Sequence, residues 1–348
     1  MMRLILFNIL LIVMMISCTE PKDDPIQHSE KWVCLGLEEE DIISILIDPT
    51  DHNILYAGSA SDFSRGHRGG LFKSIDLGVT WDTVLAGVTV IDMVFHPTDH
   101  NTLFVLGGAN FLTPWGIFKT ENSGNSWARI DSGLILFPNE GPWTIALDPV
   151  NPDNMLVGTG GMSGGNVYAS VNSGISWQPI GNQLIQLAGA NAIAINPQET
   201  DMFYIGTSDI GAILKTINGG ETWNRLTFPE VGIIHDLDVH PGNPDVIYAG
   251  TWHYGFFRSQ DEGVSWESCN QGLLDTTSVR EIIVSPDNSI IIAANDMYKG
   301  AIYRSPNDSI SWTMVDTSFS GGVNTISLSN HGELYLGKVG IYLLTYLE

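Results

Sequence analysis

The sequence predicts an all-β chain, a closed β-propeller of seven four-stranded blades. Three observations carry this. One eight-residue phrase recurs six times at near-constant spacing. The 348 residues hold 37 Gly and 16 Pro, which mark frequent turns. The apolar residues between those turns lack the 3.6-residue period that helical repeats would need.

The phrase reads SIDLGVTW at 74–81, TENSGNSW at 120–127, SVNSGISW at 170–177, TINGGETW at 216–223, SQDEGVSW at 259–266 and SPNDSISW at 305–312. Its form is Ser/Thr-x-Asp/Asn-x-Gly-x-Ser/Thr-Trp, with Ser309 replacing Gly in the sixth copy. A strand-like run precedes each copy: GLFKS, GIFKT, NVYAS, AILKT, GFFRS and AIYRS. Further upstream stand IDPTDHNILYAGS, LDPVNPDNMLVGT and VHPGNPDVIYAGT, each reading as strand, Pro-containing turn, strand. The unit therefore has four strands: an inner one, a second ending in Ala-Gly-Thr or its equivalent, a third of the GLFKS type, and a fourth starting at the Trp. Successive Trp spacings are 46, 50, 46, 43 and 46. Four strands every 40–50 residues is the size of a propeller blade, and a β-helix would have shorter coils.

The ends complete a seventh blade. After Trp312, residues 323–348 supply three strands and no fourth. Before the first unit, SEKWVCLGL (29–37) is an orphan fourth strand, and Trp32 lies 49 residues before Trp81, in step with the repeat. The N-terminal strand is expected to complete the last blade, so that closure leaves no free sheet edge. The propeller then spans 31–348. Cys34 and Cys269 fall on the outer strands of blades 7 and 5, with blade 6 between them. They are expected to be free thiols, each a small buried hydrophobe.

Ahead of the propeller, Arg3 precedes a 13-residue apolar run, Leu4 to Ile16, too short for a bilayer span of about 20 residues and right for a signal-peptide core. Met15-Ile16-Ser17-Cys18 resembles a bacterial lipoprotein signal. The resemblance implies a signal peptide over 1–17, lipidation of Cys18, and a polar tether over 18–30. It also implies a place in the cell envelope, with Thr19 after the Cys pointing to the outer membrane and membrane contact through the lipid anchor only.

Asp and Glu total 39 against 15 Lys and Arg, a net charge of −24. Such a chain does not hold a phosphate backbone by counterion release, so nucleic acid is excluded as a partner. CxxC, HExxH, GxxxxGK and GxSxG are absent, and no metal or cofactor is expected.

The recurring phrase resembles the Asp-box, or BNR repeat, of sialidase-like propellers. With its upstream strands it looks most like xyloglucanase-type glycoside hydrolases, sortilin-type receptors and the photosystem assembly-factor-like group. The resemblance covers nearly all of 31–348 and is specific for fold more than for function. It implies a structural role for Asp76, Asn122, Asn172, Asn218, Asp261 and Asn307, whose side chains satisfy backbone N–H groups in the turn between strands three and four. Sialidase chemistry itself is not expected, because the Phe-Arg-Ile-Pro motif and an Arg cluster are missing.

Candidate site residues follow from the loops. Strand direction alternates, so every second loop shares a face, and ligand-binding residues belong opposite the recurring turns. Seven of the ten Trp hold the repeat position (32, 81, 127, 177, 223, 266 and 312). Trp115, Trp143 and Trp252 do not, and all three map to the opposite face, Trp115 and Trp252 in loops between strands two and three. His253 and Tyr254 accompany Trp252. His235 and Arg280 begin inner strands, followed by Asp236 and Glu281. The Thr207-Ser208-Asp209-Ile210-Gly211 stretch resembles a xyloglucanase segment whose Asp is catalytic, although Ser208 stands where that family has Arg. Two readings result. One is a monomeric binding module for a glycan or a protein, using Trp115, Trp143, Trp252, His253, Tyr254, His235 and Arg280. The alternative is a glycoside hydrolase acting on β-glucan-type polysaccharide through Asp209, Asp236 and Glu281 as paired carboxylates.

Overall fold

The computed structural model describes residues 30–346, apart from 63, 110–112, 137–139, 162–163, 182–187, 209–210, 230–231, 275–276, 296–298 and 307–310. The signal peptide, Cys18 and nearly all of the tether lie outside the described residues, as do Asp209 and Asn307. The strands form seven antiparallel sheets of four, six of them from consecutive strands. Blades 1 to 6 occupy residues 42–86, 89–129, 140–179, 190–226, 234–268 and 278–320, and blade 7 joins 325–346 to the N-terminal strand. The chain is a seven-bladed β-propeller.

Radial position sets the residue pattern of each strand. Second strands such as Leu55–Ser59, Phe203–Thr207 and Ile247–Thr251 are buried at every residue, because each lies between two strands and between two blades. Small or apolar runs without alternation follow. Inner strands alternate, as in Ala190–Ile195, where one side chain in two is fully buried. The fourth strands of blades 2 and 5, Ala128–Arg129 and Glu267–Ser268, are short and exposed.

The core lies between blades. Tyr56 and Leu71 of blade 1 pack with Val90, Met93, Phe95, Leu103 and Val105 of blade 2. The other clusters repeat this arrangement around the ring, for example Phe104 and Leu106 of blade 2 with Met155 and Trp177 of blade 3. Fully burying one such side chain contributes about 1.5–3 kcal/mol.

The repeat Trp residues tie each blade to the one before it. The indole Nε1–H of Trp81 donates to Leu35 O at 2.8 Å, Trp127 to Val84 O at 2.9 Å, Trp177 to Ile130 O at 2.7 Å, Trp223 to Ile180 O at 3.1 Å and Trp312 to Cys269 O at 2.7 Å. Each acceptor is the third residue after the preceding blade's own Trp. Trp32 donates instead to Asp316 Oδ2 at 2.8 Å, and Trp266 to Gly263 O in its own turn at 3.1 Å while its ring meets Phe228 edge-on.

The N-terminal strand, Glu30–Cys34, closes the ring. It pairs antiparallel with Gly340–Tyr346, from Glu30 opposite Tyr346 to Cys34 opposite Tyr342. Cys34 and Cys269 form no disulfide. Cys269 is buried as expected, whereas Cys34 is only half-buried and its thiol faces Glu38 Oε1 at 3.5 Å. A fourth strand is the outermost of its blade, so a side chain there keeps some of its surface in solvent. Among the described residues no helix is long and apolar enough to cross a membrane.

Candidate functional site

Two sets of turns share one face. In the recurring turn of blade 1, Asp76 Oδ1 accepts from Ser74 Oγ at 2.8 Å and from Thr80 N at 2.8 Å. Asn122, Asn172, Asn218 and Asp261 accept the same pair of bonds in blades 2 to 5. These turns also bond to the turn between strands one and two of their own blade. Leu77 N donates to Asn53 O, Ser123 N to Asn101 O, Ser173 N to Asp153 O and Glu262 N to Asp245 O, at 2.8–3.1 Å. The starts of the inner strands and the loops between strands two and three therefore gather on the opposite face, the mouth.

The inner strands of blades 1 to 6 each carry an irregularity at the mouth. The register slips between Ile42 and Ser44, Val90 and Asp92, Pro142 and Thr144, Ala190 and Ala192, Ile234 and Asp236, and Val279 and Glu281. A bulge adds one unpaired residue and re-aims its side chain. The added residues are Ile43, Ile91, Trp143, Asn191, His235 and Arg280. Trp143, His235 and Arg280 are thus equivalent residues on blades 3, 5 and 6. Asn191 supplies blade 4, and its Oδ1 is buried with no hydrogen-bond partner. Asn191 is a site residue additional to those expected from the sequence, and its signal there is its place one residue before Ala192, equivalent to His235 and Arg280.

The residue after the bulge is an acid in blades 2, 5 and 6, and there the carboxylates have a structural task. Asp92 accepts from Met93 N at 2.8 Å and, across the blade boundary, from Ile145 N at 2.9 Å. Asp236 accepts from Leu237 N at 2.9 Å and from Ile282 N of blade 6 at 2.7 Å. Glu281 accepts from Ile326 N of blade 7 at 2.8 Å. Each carboxylate satisfies a backbone donor that no strand partner reaches. They keep some surface toward the channel, yet protein surrounds them closely enough to dominate their titration. Burial pushes the carboxyl of Asp92 up to about 6 and that of Asp236 to about 7, with a further push on Asp236 from Asp92. Glu281 is raised to about 8 by burial, against its Ile326 bond, and by Asp236. Asp238, which the sequence reading did not single out, is raised to about 8 by burial and by Asp236.

Blade 5 builds an aromatic shelf. Trp252, His253 and Tyr254 form a three-residue connection between strands ending at Thr251 and starting at Gly255. So tight a turn forces His253 to φ +69°, a strained value for a residue with a Cβ. Trp252 and Tyr254 remain 40% and 41% exposed. The Trp252 ring stacks on His235 at 5.4 Å and 21°, and His253 meets Trp252 edge-on at 5.4 Å. Burial pushes the His235 imidazole down to about 4, helped by the positive charge of Arg280 and by His253. His235 is therefore neutral at pH 7, and Arg280 is an exposed cation beside it.

Two tryptophans stand apart from this shelf. Trp143 is 47% exposed and donates from Nε1 to Gly160 O at 2.7 Å. Trp115 differs from expectation, since it lies within the third strand of blade 2, Thr113–Thr120, and not in the preceding loop. Its ring lies on Gly141 of blade 3, where an added Cβ would come within 3.4 Å. Blade 5 thus brings together Trp252, His253, Tyr254, His235 and, from blade 6, Arg280, while Trp115 lies at the boundary of blades 2 and 3 and Trp143 packs on Gly160 of its own blade. The mouth face also holds a polar cleft of about 620 Å³ at the seam of blades 7 and 1, lined by Asp41, Asp62, Arg65, His67, Lys338 and Tyr342. Asp62 pairs with Arg65 at 3.2 Å and Asn324 donates to Asp41 at 2.7 Å. Among the described residues no group of three His, Cys, Asp or Glu could hold a metal ion.

No protein-family model matches the chain. A xyloglucanase of Acetivibrio thermocellus is 23% identical over 220 residues, covering 47% of this chain and 26% of its own length. A xyloglucanase of Hypocrea jecorina is 29% identical over 199 residues, covering 51% of this chain and 23% of its own length. The chain spans about a quarter of the length of these curated relatives. Among solved structures, YCF48 from Cyanidioschyzon merolae superposes with a TM-score of 0.67 at 16% identity, over 90% of this chain and 98% of that one. YCF48 bound to D1 peptide gives 0.64 at 17% identity, over 95% and 100%. The GH74 xyloglucanase from Xanthomonas campestris gives 0.69 at 14% identity, over 92% of this chain and 54% of that one. At these identities the structures establish the propeller, and the chain has xyloglucanase-like relatives by sequence.

Proposed function

We propose that this propeller is a binding module whose mouth takes a glycan or a protein segment, with a neutral β-glucan-type chain as the favoured ligand. One observation carries the reading: Trp143, Trp252 and Tyr254 are 40–47% exposed on one face, while the repeat Trp residues are committed to contacts between blades. Covering about 100 Å² of apolar ring surface is worth about 2.5 kcal/mol before the cost of ordering the ligand. The strained connection that presents Trp252 supports a functional use, as does the unpartnered Asn191 Oδ1 at the same rim. A net charge of −24 disfavours anionic ligands. The xyloglucanase relatives favour a glycan, and a YCF48 structure with a peptide keeps a protein segment as the second ligand class. We also read the recurring turns as Asp-boxes, supported by the bonds that Asp76, Asn122, Asn172, Asn218 and Asp261 accept.

The xyloglucanase relatives also support a hydrolase reading. Against it, Asp236 spends both carboxylate oxygens on backbone N–H groups, and Glu281 spends one. Both readings are tested by calorimetry with xyloglucan oligosaccharides and a reducing-sugar assay on the same samples. The expected outcome is binding without sugar release. In the double variant Trp143→Ala, Trp252→Ala, affinity should fall at least about tenfold for 1.4 kcal/mol lost, with the melting temperature nearly unchanged. Unfolding of that variant would make the rings core plugs, and sugar release by the parent protein would favour the hydrolase.

A further inference from the structure

On the face opposite the mouth, the second and sixth positions of the recurring turn take no fixed residue, yet what stands there follows a pattern. In blades 1 to 5 these positions hold Ile75, Val79, Val171, Ile175, Ile217 and Val264, all 59–76% exposed. The remaining ones are Glu121, Asn125, Glu221 and Gln260, so no cation occurs at any of them. Glu, Asn and Gln at equivalent places show that the fold does not require an aliphatic residue there. A single exposed Ile or Val is ordinary. Repeated on consecutive blades of one face, such side chains mark an interaction surface.

The charge of this face has one sign. The turn between strands one and two presents an exposed acid on each of five consecutive blades, Asp51, Asp99, Asp153, Asp201 and Asp245. Bonds from Asn53 and Thr102 hold Asp51 and Asp99 below the usual carboxylate range. In blades 3, 4 and 5 the recurring turn donates to the carbonyl of that very Asp. Ser173 N reaches Asp153 O at 3.0 Å, Gly219 N reaches Asp201 O at 2.9 Å and Glu262 N reaches Asp245 O at 2.9 Å. Aliphatic tip and carboxylate are thus neighbours by construction. The cations that end the third strands are spent inside the protein. Lys73 donates to Ser123 O at 2.9 Å, Lys119 pairs with Glu121 at 2.7 Å, Lys215 with Glu262 at 2.5 Å and Arg258 with Glu267 at 2.6 Å.

We propose that the recurring-turn face of blades 3 to 5 docks a cationic amphipathic segment of a partner protein. Its apolar side would cover Val171, Ile175, Ile217 and Val264, and its Lys or Arg side chains would meet Asp153, Asp201 and Asp245. Charge complementarity selects this occupant, because the face offers aliphatic groups and carboxylates and keeps its own cations occupied. The same carboxylates repel the anionic headgroups of a lipid surface. β-Branched tips suit such docking, since their χ1 is already restricted and little side-chain freedom is lost on contact. The surface lies opposite the mouth and does not rest on the mouth's ligand.

The probe is a synthetic helix of about 20 residues with Leu on one face and Lys on the other. Its binding to the full chain is read by fluorescence anisotropy at about 0.15 M salt. The parent should bind it, and a scrambled helix of the same composition should bind at least about tenfold more weakly. Val171→Ser, Ile175→Ser, Ile217→Ser should weaken binding at least about tenfold with an unchanged melting temperature. Asp201→Asn, Asp245→Asn should weaken it too and flatten its salt dependence, whereas Trp252→Ala on the mouth should leave it unchanged. No binding by the parent, equal binding of the scrambled helix, or parent-like binding by the triple Ser variant would overturn the proposal. So would loss of binding in Trp252→Ala, which would move the contact to the mouth. Binding of the parent to phosphatidylcholine–phosphatidylglycerol vesicles that the triple variant loses would assign the face to a lipid surface and overturn it as well.

Discussion

Asp236 illustrates what one residue's position does and does not reveal. Spacing from the Pro-containing turn put Asp236 and Glu281 near the starts of inner strands, which run over Ile234–Val239 and Ser278–Val284. It did not reveal that each sits one place after a bulge, where its carboxylate meets a backbone donor of the next blade. A bulge has no side-chain signature in these strands, since Ile, Trp, Asn, His and Arg all occupy it. Asp236→Leu leaves the Ile282 and Leu237 N–H groups without that acceptor, at about 1–3 kcal/mol each. The expected loss at pH 5 is about 2 kcal/mol or more by urea denaturation. The loss should shrink at pH 8.5, where ionised Asp236 is itself a burden on the folded state. A loss that grows with pH would contradict the raised carboxyl.

At the scale of the element, the legible features were those with a strict period. Trp recurs because in five of the seven blades its indole N–H bonds the preceding blade at one equivalent place, so the blades, their strands and the closing strand are countable from the sequence. Trp252 and Trp143 stood out by breaking that period. Trp115 broke it too and yet lies within a strand, because Thr113–Thr120 begins before the GIFKT run that marked the third strand. The cleft at the seam of blades 7 and 1 has no signature in the sequence, since residues such as Asp41 and Tyr342 come from opposite ends of the propeller. The closing strand allows a direct test. Deleting 30–38 removes five paired residues, the Trp32 indole and the Leu35 acceptor of Trp81. With roughly 1 kcal/mol per hydrogen bond and about 3–5 for the Trp, stability should drop by about 5 kcal/mol or more. A urea midpoint close to that of the parent would mean that the ring does not depend on this strand.

For the whole molecule the channel acids set a pH response of definite sign. Asp92, Asp236, Asp238 and Glu281 are all raised, to about 6–8. Their contribution is fully present below the unfolded carboxyl range and is lost as pH rises through the folded values, because the folded state then holds more protons than the unfolded one. The recurring-turn acids Asp76 and Asp261 are lowered by bonds from Thr80 and Ser265, so they act in reverse and lose their contribution only as pH falls below about 4. Melting temperature should therefore peak near pH 4–5 and decline steadily to pH 8.5. A scan that rises from pH 5 to pH 8 would contradict this. Self-repulsion at a charge of −24 pulls in the same direction and is separable by salt, which screens surface charge more than the channel.

Closure by a borrowed strand also has a mechanical meaning. Residues 1–29 join the propeller through Glu30, so any tension along that stretch of chain enters at the one strand that holds the ring shut. Drawn along the strand axis, the five pairs from Glu30–Tyr346 to Cys34–Tyr342 resist together in shear. Drawn sideways, they separate in succession, starting at Tyr346. The blade that fails first is the one whose loss opens the circle, so the direction of pull decides whether the fold behaves as a clamp or as a zip.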